Sequence, residues 1–154
     1  MRDAIGSVFN LALLFTFLLI VTGFILFGVN YYKAFQVKND LLTLIEKYEG
    51  NVDNPKFKDK VKDVINRYGY NPSPSAMLSA QKQQSQTWNC DEDVGWCYRY
   101  IAVGELDRFD QYGNENRYYD VMTFVSTDIP VINRIMAGFD FFKVTGRTKP
   151  IRIR

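Results

Sequence analysis

Residues 4–32 carry no charged side chain. Nothing else in the chain limits its fold so strongly. From Val8 to Val29 the stretch is apolar apart from Asn10, Thr16, Thr22, Gly23 and Gly28. A helix needs about 20 such residues to cross a hydrocarbon core of roughly 30 Å. A run this long is unusual for a buried helix in a soluble core, so it predicts a transmembrane span. A cleaved secretory signal fits less well. Only Arg2 and Asp3 precede the run as charged flanks, and no small-residue cleavage pattern follows it. The run also exceeds the usual ~7–15 apolar residues of a signal. Beyond Gly28 come the bulky Tyr31 and Tyr32, which suit an aromatic belt at the membrane interface. The expectation is an uncleaved anchor with membrane lipid around it.

Basic residues barely orient the span. Arg2 and the amino terminus stand on one side, Lys33 and Lys38 on the other. The two cysteines break the tie. Cys90 and Cys97 lie in "WNCDEDVGWCYRY". Disulfides persist in oxidising compartments. A bridge here closes a small ring, stabilising by about 2.5 kcal/mol on the chain-entropy model. The alternative is half of a shared metal site, which would have to do without histidine, absent from the chain. The reading is a Cys90–Cys97 disulfide, a cytoplasmic N-terminus and an extracytoplasmic C-terminal domain. No N-x-S/T acceptor is present, because Pro72 disqualifies Asn71-Pro72-Ser73, and this fits a bacterial source. A net charge of +2 is too small to argue for nucleic acid as a main partner.

The helix should continue past the membrane. Tyr31, Phe35, Leu41, Leu42, Ile45 and Tyr48 recur with a 3.6-residue period, polar residues fill most of the rest, and Gly50 is placed to end the helix. From Asp3 to Glu49 such a helix would be about 70 Å long. A second helix is signalled by "DNPKFKDKVKDVINRYG", with Asp53 or Asn54 as cap, Pro55 at its first position and Gly69 at its end. Phe57, Val61, Val64, Ile65 and Tyr68 form its apolar face, while Lys56, Lys58, Lys60 and Lys62 read as a solvated face. Residues 71–87 read as a long polar loop.

After Trp88 the period drops to two. "WCYRYIAVGEL" and "RYYDVMTFVS" read as a hairpin with Gly113-Asn114 at its tip. "FDFFKVTGRT" reads as a third strand and "PIRIR" as a short last one, with "DIPVINRIMAG" crossing between the hairpin and the third strand. The predicted class is therefore α+β: a long N-terminal helix, a second short helix and an antiparallel sheet of about 3–4 strands. Residues 1–49 form the span and stalk, and residues 50–154 form the domain.

Enzyme chemistry finds little support. Without histidine there is no ordinary imidazole base for a Ser or Cys nucleophile, and no phosphate-binding glycine motif occurs. Two carboxylate groups, Asp91-Glu92-Asp93 and Asp107 with Asp110 and Glu115, have oxygens that suit Ca²⁺, but neither has EF-hand spacing. Solvated turns explain both. No catalytic residue, metal site or cofactor is expected. Near the C-terminus, Lys143, Arg147, Lys149, Arg152 and Arg154 stand against Asp140 alone. Basic residues on an edge strand block edge-to-edge pairing. Arg147, Lys149, Arg152 and Arg154 are also candidates for contact with an anionic partner.

The anchor segment "LALLFTFLLIVTGFILFGVNYYKAFQVKNDL" resembles that of the TadE-like minor pilins, within the type IV pilin superfamily. The resemblance covers residues 1–49 in pattern and the rest in architecture. It implies a structural or assembly subunit of a bacterial surface filament or secretion apparatus, whose partners are other pilin-like subunits or copies of itself. The glutamate that pilins carry at the fifth mature position has no counterpart in the apolar run, and Asp3 is the carboxylate available to replace it. Candidates for helix packing are Ala12, Thr16, Gly23 and Gly28 in the span, and Phe35, Leu42 and Ile45 beyond it. The competing expectation is a membrane-tethered binding module that does not polymerise.

Overall fold

The computed structural model describes residues 2–71, 88–91, 93–102, 115–125 and 143–153. Two helices and five strands make up an α+β fold: α1 (Arg2–Lys47), α2 (Pro55–Tyr68), β1 (Asn89–Asp91), β2 (Trp96–Ala102), β3 (Glu115–Phe124), β4 (Lys143–Arg147) and β5 (Ile151–Ile153). The polar segment 72–87, the hairpin tip at Gly113-Asn114 and the crossing segment 128–138 lie outside the described residues.

The first helix runs unbroken through the join between its apolar and amphipathic halves, because that join holds no proline and no cluster of turn residues. Its end differs from expectation by one residue. Glu49 takes the left-handed position at φ 51, and Gly50 follows at φ 76. Gly50 N–H donates to Ile45 O at 2.9 Å and Glu49 N–H to Glu46 O at 3.2 Å, which closes the last carbonyls of α1. Gly50 is still required where it stands. A Cβ there would lie 2.7 Å from the Tyr119 ring. In α2 the cap is Asn54 rather than Asp53: its side chain accepts from Lys56 N–H at 2.9 Å. Gly69, at φ 56, ends α2 through the same pair of bonds, Gly69 to Asn66 and Tyr70 to Ile65.

The sheet is antiparallel with β3 at its centre. On one side β2 pairs along β3 from Trp96↔Thr123 to Ala102↔Arg117, which is the expected hairpin pairing. A three-residue strand, β1, extends that side and pairs Cys90 directly with Cys97. On the other side β4 covers Asp120–Phe124 and β5 covers Glu115–Arg117. These two are one edge interrupted by a bulge: Thr148, Lys149 and Pro150 stand opposite only Tyr118 and Tyr119. Thr148 holds the bulge closed, with its N–H donating to Tyr119 O at 2.9 Å and its hydroxyl accepting from Tyr119 N–H at 3.0 Å. Pro150 sits where an edge strand tolerates a missing donor.

Both helices lie on one sheet face. The α1 stripe that packs there is Ala34, Val37, Leu41 and Ile45, all fully buried. Full burial of a Val, Leu or Ile side chain stabilises by roughly 1.5–3 kcal/mol. Phe35, expected on this stripe, is turned away and 38% exposed, while Leu42 is half-buried. The reason is closeness of approach. Thr123 on β3 reaches Ala34 O at 2.9 Å, and a Cβ on Gly146 of β4 would lie 2.8 Å from Leu42 and 2.9 Å from Lys38. Small residues are needed where the helix touches the sheet. Lys38 itself is buried, its ammonium 4.2 Å from the Phe35 ring centre, and burial lowers its pKa. From α2, Phe57, Val61, Val64 and Ile65 complete the core with Trp96, Val121 and Val144.

Candidate functional site

Beyond the domain, the N-terminal half of α1 is apolar on every side. None of its apolar window is buried against the rest of the chain. Phe9, Leu19 and Phe24 are among its most exposed side chains. A helix apolar all round suits a membrane span or the interior of a larger protein rather than water. This one is long and apolar enough to span a membrane. Thr16 donates to Ala12 O at 2.9 Å and Thr22 to Leu18 O at 2.8 Å, so each hydroxyl is satisfied within the helix, as a hydrocarbon surrounding demands. With 3.6 residues per turn, Ala12, Thr16 and Gly23 share one face and Gly28 falls on the opposite one. A Cβ at Gly28 would meet nothing within 4 Å. Tyr31 and Tyr32 are both exposed just past the apolar run, and Phe27 stacks at a tilt on Tyr31.

Cys90 and Cys97 are disulfide-bonded. The pairing follows from the β1–β2 register, which sets the two residues opposite each other across a turn whose Gly95 adopts φ 78. Trp88, Cys97, Met122 and Phe124 form a second small cluster on the face away from the helices. The same face carries an ion triad across three neighbouring strands. Asp120 on β3 accepts from Arg99 on β2 through Nε at 3.0 Å and Nη2 at 2.9 Å. It also accepts from Arg147 on β4 through Nε at 2.6 Å and Nη2 at 3.1 Å. Burial alone would raise the Asp120 pKa, but the bonds from Arg147 and Arg99 outweigh it and hold the carboxyl below its usual range. Arg99 lies over the Trp88 ring at 4.6 Å.

The basic residues of the C-terminus therefore do not form one patch. Arg147 is committed to Asp120. Lys149 is exposed, and its backbone N–H donates to Glu46 Oε1 at 2.9 Å. Arg152 lines a cleft at the other end of the domain. Arg154 lies outside the described residues. So do Glu92, Asp107 and Asp110, and among the described residues no group of three His, Cys, Asp or Glu side chains gathers to hold a metal ion. The lysines of α2 are exposed, with Lys60 paired to Asp63 at 3.0 Å.

The cleft itself was not foreseen from the sequence. It measures about 620 Å³ and opens between the α1–α2 loop, residues 48–53, and the ends of β2, β3 and β5. Tyr48, Tyr98, Tyr100 and Tyr119 give it an aromatic wall, with Arg117, Arg152 and Asp53 supplying charge of both signs. Tyr98 stacks on Trp96, Arg117 lies over the Tyr100 ring at 5.5 Å, and the Tyr119 hydroxyl donates to Gly50 O at 3.0 Å. Burial raises the pKa of Tyr98, with Asp53 adding to it, and burial raises that of Tyr119 against the opposing Arg117 guanidinium. The signal for this wall was the alternation of Tyr98 with Tyr100 and of Arg117 with Tyr119, which places each pair on one strand face.

No family model matches this chain, and neither a curated protein nor a solved structure matches it.

Proposed function

We propose that this chain is a single-pass membrane-anchored, pilin-like subunit. Its role is structural or in assembly, within a bacterial surface filament or secretion apparatus. The N-terminus is cytoplasmic and the folded domain extracytoplasmic. One observation carries the reading: a single helix whose first half is apolar all round and whose second half is the core of an antiparallel α+β domain. An anchor alone requires only the first half. A rod that stacks on its neighbours while displaying a domain requires both. The disulfide supports an oxidising location for the domain. Within the span, the face of Ala12, Thr16 and Gly23 suits close approach of a second helix.

The test is electron microscopy of the sheared surface fraction of cells expressing the chain, with intact mass and co-purifying proteins determined on the same material. Filaments containing the chain are expected. A membrane-retained chain with neither filaments nor pilin-like partners would overturn the reading. The cleft favours one other function, a membrane-tethered binding module that does not polymerise. That function predicts a chain that stays monomeric in the membrane and loses its ligand when Tyr100 is replaced by Ala.

A further inference from the structure

The depth of the anchor and the contacts of the domain together fix how the domain meets the membrane. The inference rests on the membrane-anchored reading above. From Val8 to Val29 the apolar run is about 33 Å long, which matches a hydrocarbon core of roughly 30 Å and leaves little freedom to slide. Lys33 therefore stands about 6 Å beyond the hydrocarbon edge at Val29, and Ala34 about 7 Å. The headgroup layer on each side is itself about 5–7 Å deep. A domain held on a spacer would make its first contacts well above this level.

Here the contacts begin at this level and just below it, where Phe27 is partly buried against the domain core. Lys33 Nζ reaches Gly69 O, at the end of α2, at 3.5 Å. Thr123, at the end of β3, reaches Ala34 O at 2.9 Å. Trp96 pairs with Thr123, so Asp93–Gly95, which precede Trp96, extend further toward the bilayer. Lys143 pairs with Phe124, one residue beyond Thr123 in the same direction. Tyr70 binds these segments together: its hydroxyl donates to Gly95 O at 2.9 Å and accepts from Phe124 N–H at 2.7 Å. Among the described residues, the exposed side chains of this rim, Asn71, Asp93 and Lys143, are polar or charged with both signs.

We infer that this rim, formed by Gly69–Asn71, Asp93–Gly95 and Lys143, sits in the phospholipid headgroup layer. The domain rests on the bilayer rather than standing above it. A mixed-sign rim suits headgroups that carry phosphate and ammonium groups together. The seating also orients the tyrosine cleft. Tyr48 lies about 28 Å along the helix from Val29, so the cleft opens at the end of the domain farthest from the lipid.

The test is quenching depth on the full chain in phosphatidylcholine vesicles, with the disulfide intact. A fluorophore is placed in turn at Asn71→Cys, Lys143→Cys, Asn51→Cys and Phe24→Cys. Headgroup-nitroxide lipid should quench the labels at positions 71 and 143 several-fold more than the label at 51, and acyl-chain nitroxide should quench the label at 24. If the 24 label is quenched while the 71 and 143 labels behave like the 51 label, the seating is wrong and the anchor stands. If the 24 label is not quenched by lipid at all, the anchored reading falls and the seating with it.

Discussion

Asp120→Ala is the sharpest test of what holds the sheet together. Asp120 is 7% exposed and accepts four bonds from two guanidinium groups. Its removal strands both. Arg147 is 55% exposed at its side chain and recovers most of its hydration, so its share is small. Arg99 is 23% exposed and lies against Trp88, so it cannot do the same without leaving the ring. Breaking a buried pair costs about 3–5 kcal/mol, and the discount for Arg147 leaves about 2–4 kcal/mol. For a domain of about 100 residues that corresponds to roughly 10–25 °C in Tm. The assay is thermal unfolding of the full chain in micelles, followed by near-ultraviolet circular dichroism of Trp88 and Trp96. The pH dependence follows from the lowered pKa of Asp120. A carboxylate whose folded pKa lies below its unfolded value stabilises fully above the unfolded value, and loses that stabilisation as pH falls through the folded one. The gap between wild type and variant should be complete at neutral pH, should begin to narrow below the unfolded carboxylate value of about 4, and should close as pH falls through the lowered folded pKa. A gap under about 1 kcal/mol at neutral pH, or one unchanged in acid, refutes the reasoning.

Three further outcomes follow from single contacts. Gly50→Ala forces a side chain into φ 76 and against the Tyr119 ring at 2.7 Å, and should cost about 2–4 kcal/mol by chemical denaturation. Tyr70→Phe leaves Gly95 O and Phe124 N–H without their buried partner. It should destabilise by about 2–4 kcal/mol while the far-ultraviolet spectrum stays unchanged. Cys90→Ser should lower stability by about 2.5 kcal/mol, and adding reductant to the wild type should reproduce the loss.

The class of fold was legible because two periods dominate the chain. A 3.6-residue repeat marks the second half of α1 and all of α2, and a two-residue repeat marks β2 and β3. The cysteine pair was legible from its spacing. What escaped were features that depend on how elements meet. Phe35 lies on the apolar stripe read from the sequence, yet against the sheet Ala34 and Val37 take its place, because Thr123 and Gly146 bring the sheet too close to the helix for a ring. The bulge at Thr148 depends on two bonds to Tyr119, a residue far away in sequence. The cleft joins the 48–53 loop to Arg152, and no local pattern encodes that distance. The C-terminal arginines looked like one patch because they are close in sequence. Position along the sheet separates them: Arg147 stands opposite Asp120, and Arg152, opposite Asn116 nearer the start of β3, reaches the cleft.

The same contacts determine what the long helix can transmit. Two hydroxyls tie the sheet to the α1 backbone and its C-terminal turn: Thr123 to Ala34 O, and Tyr119 to Gly50 O. These points are about 24 Å apart along the helix. Sliding α1 by one residue would rotate its buried stripe by about 100° and break both bonds. From Ala34 to Gly50 helix and sheet therefore move as one body. Deformation is left to the part of α1 before Phe27, which among the described residues packs against no other element, and where Gly23 lowers helix stability by about 1 kcal/mol relative to Ala. A load on the apolar half of α1 bends the helix there first and reaches the domain as a rigid tilt.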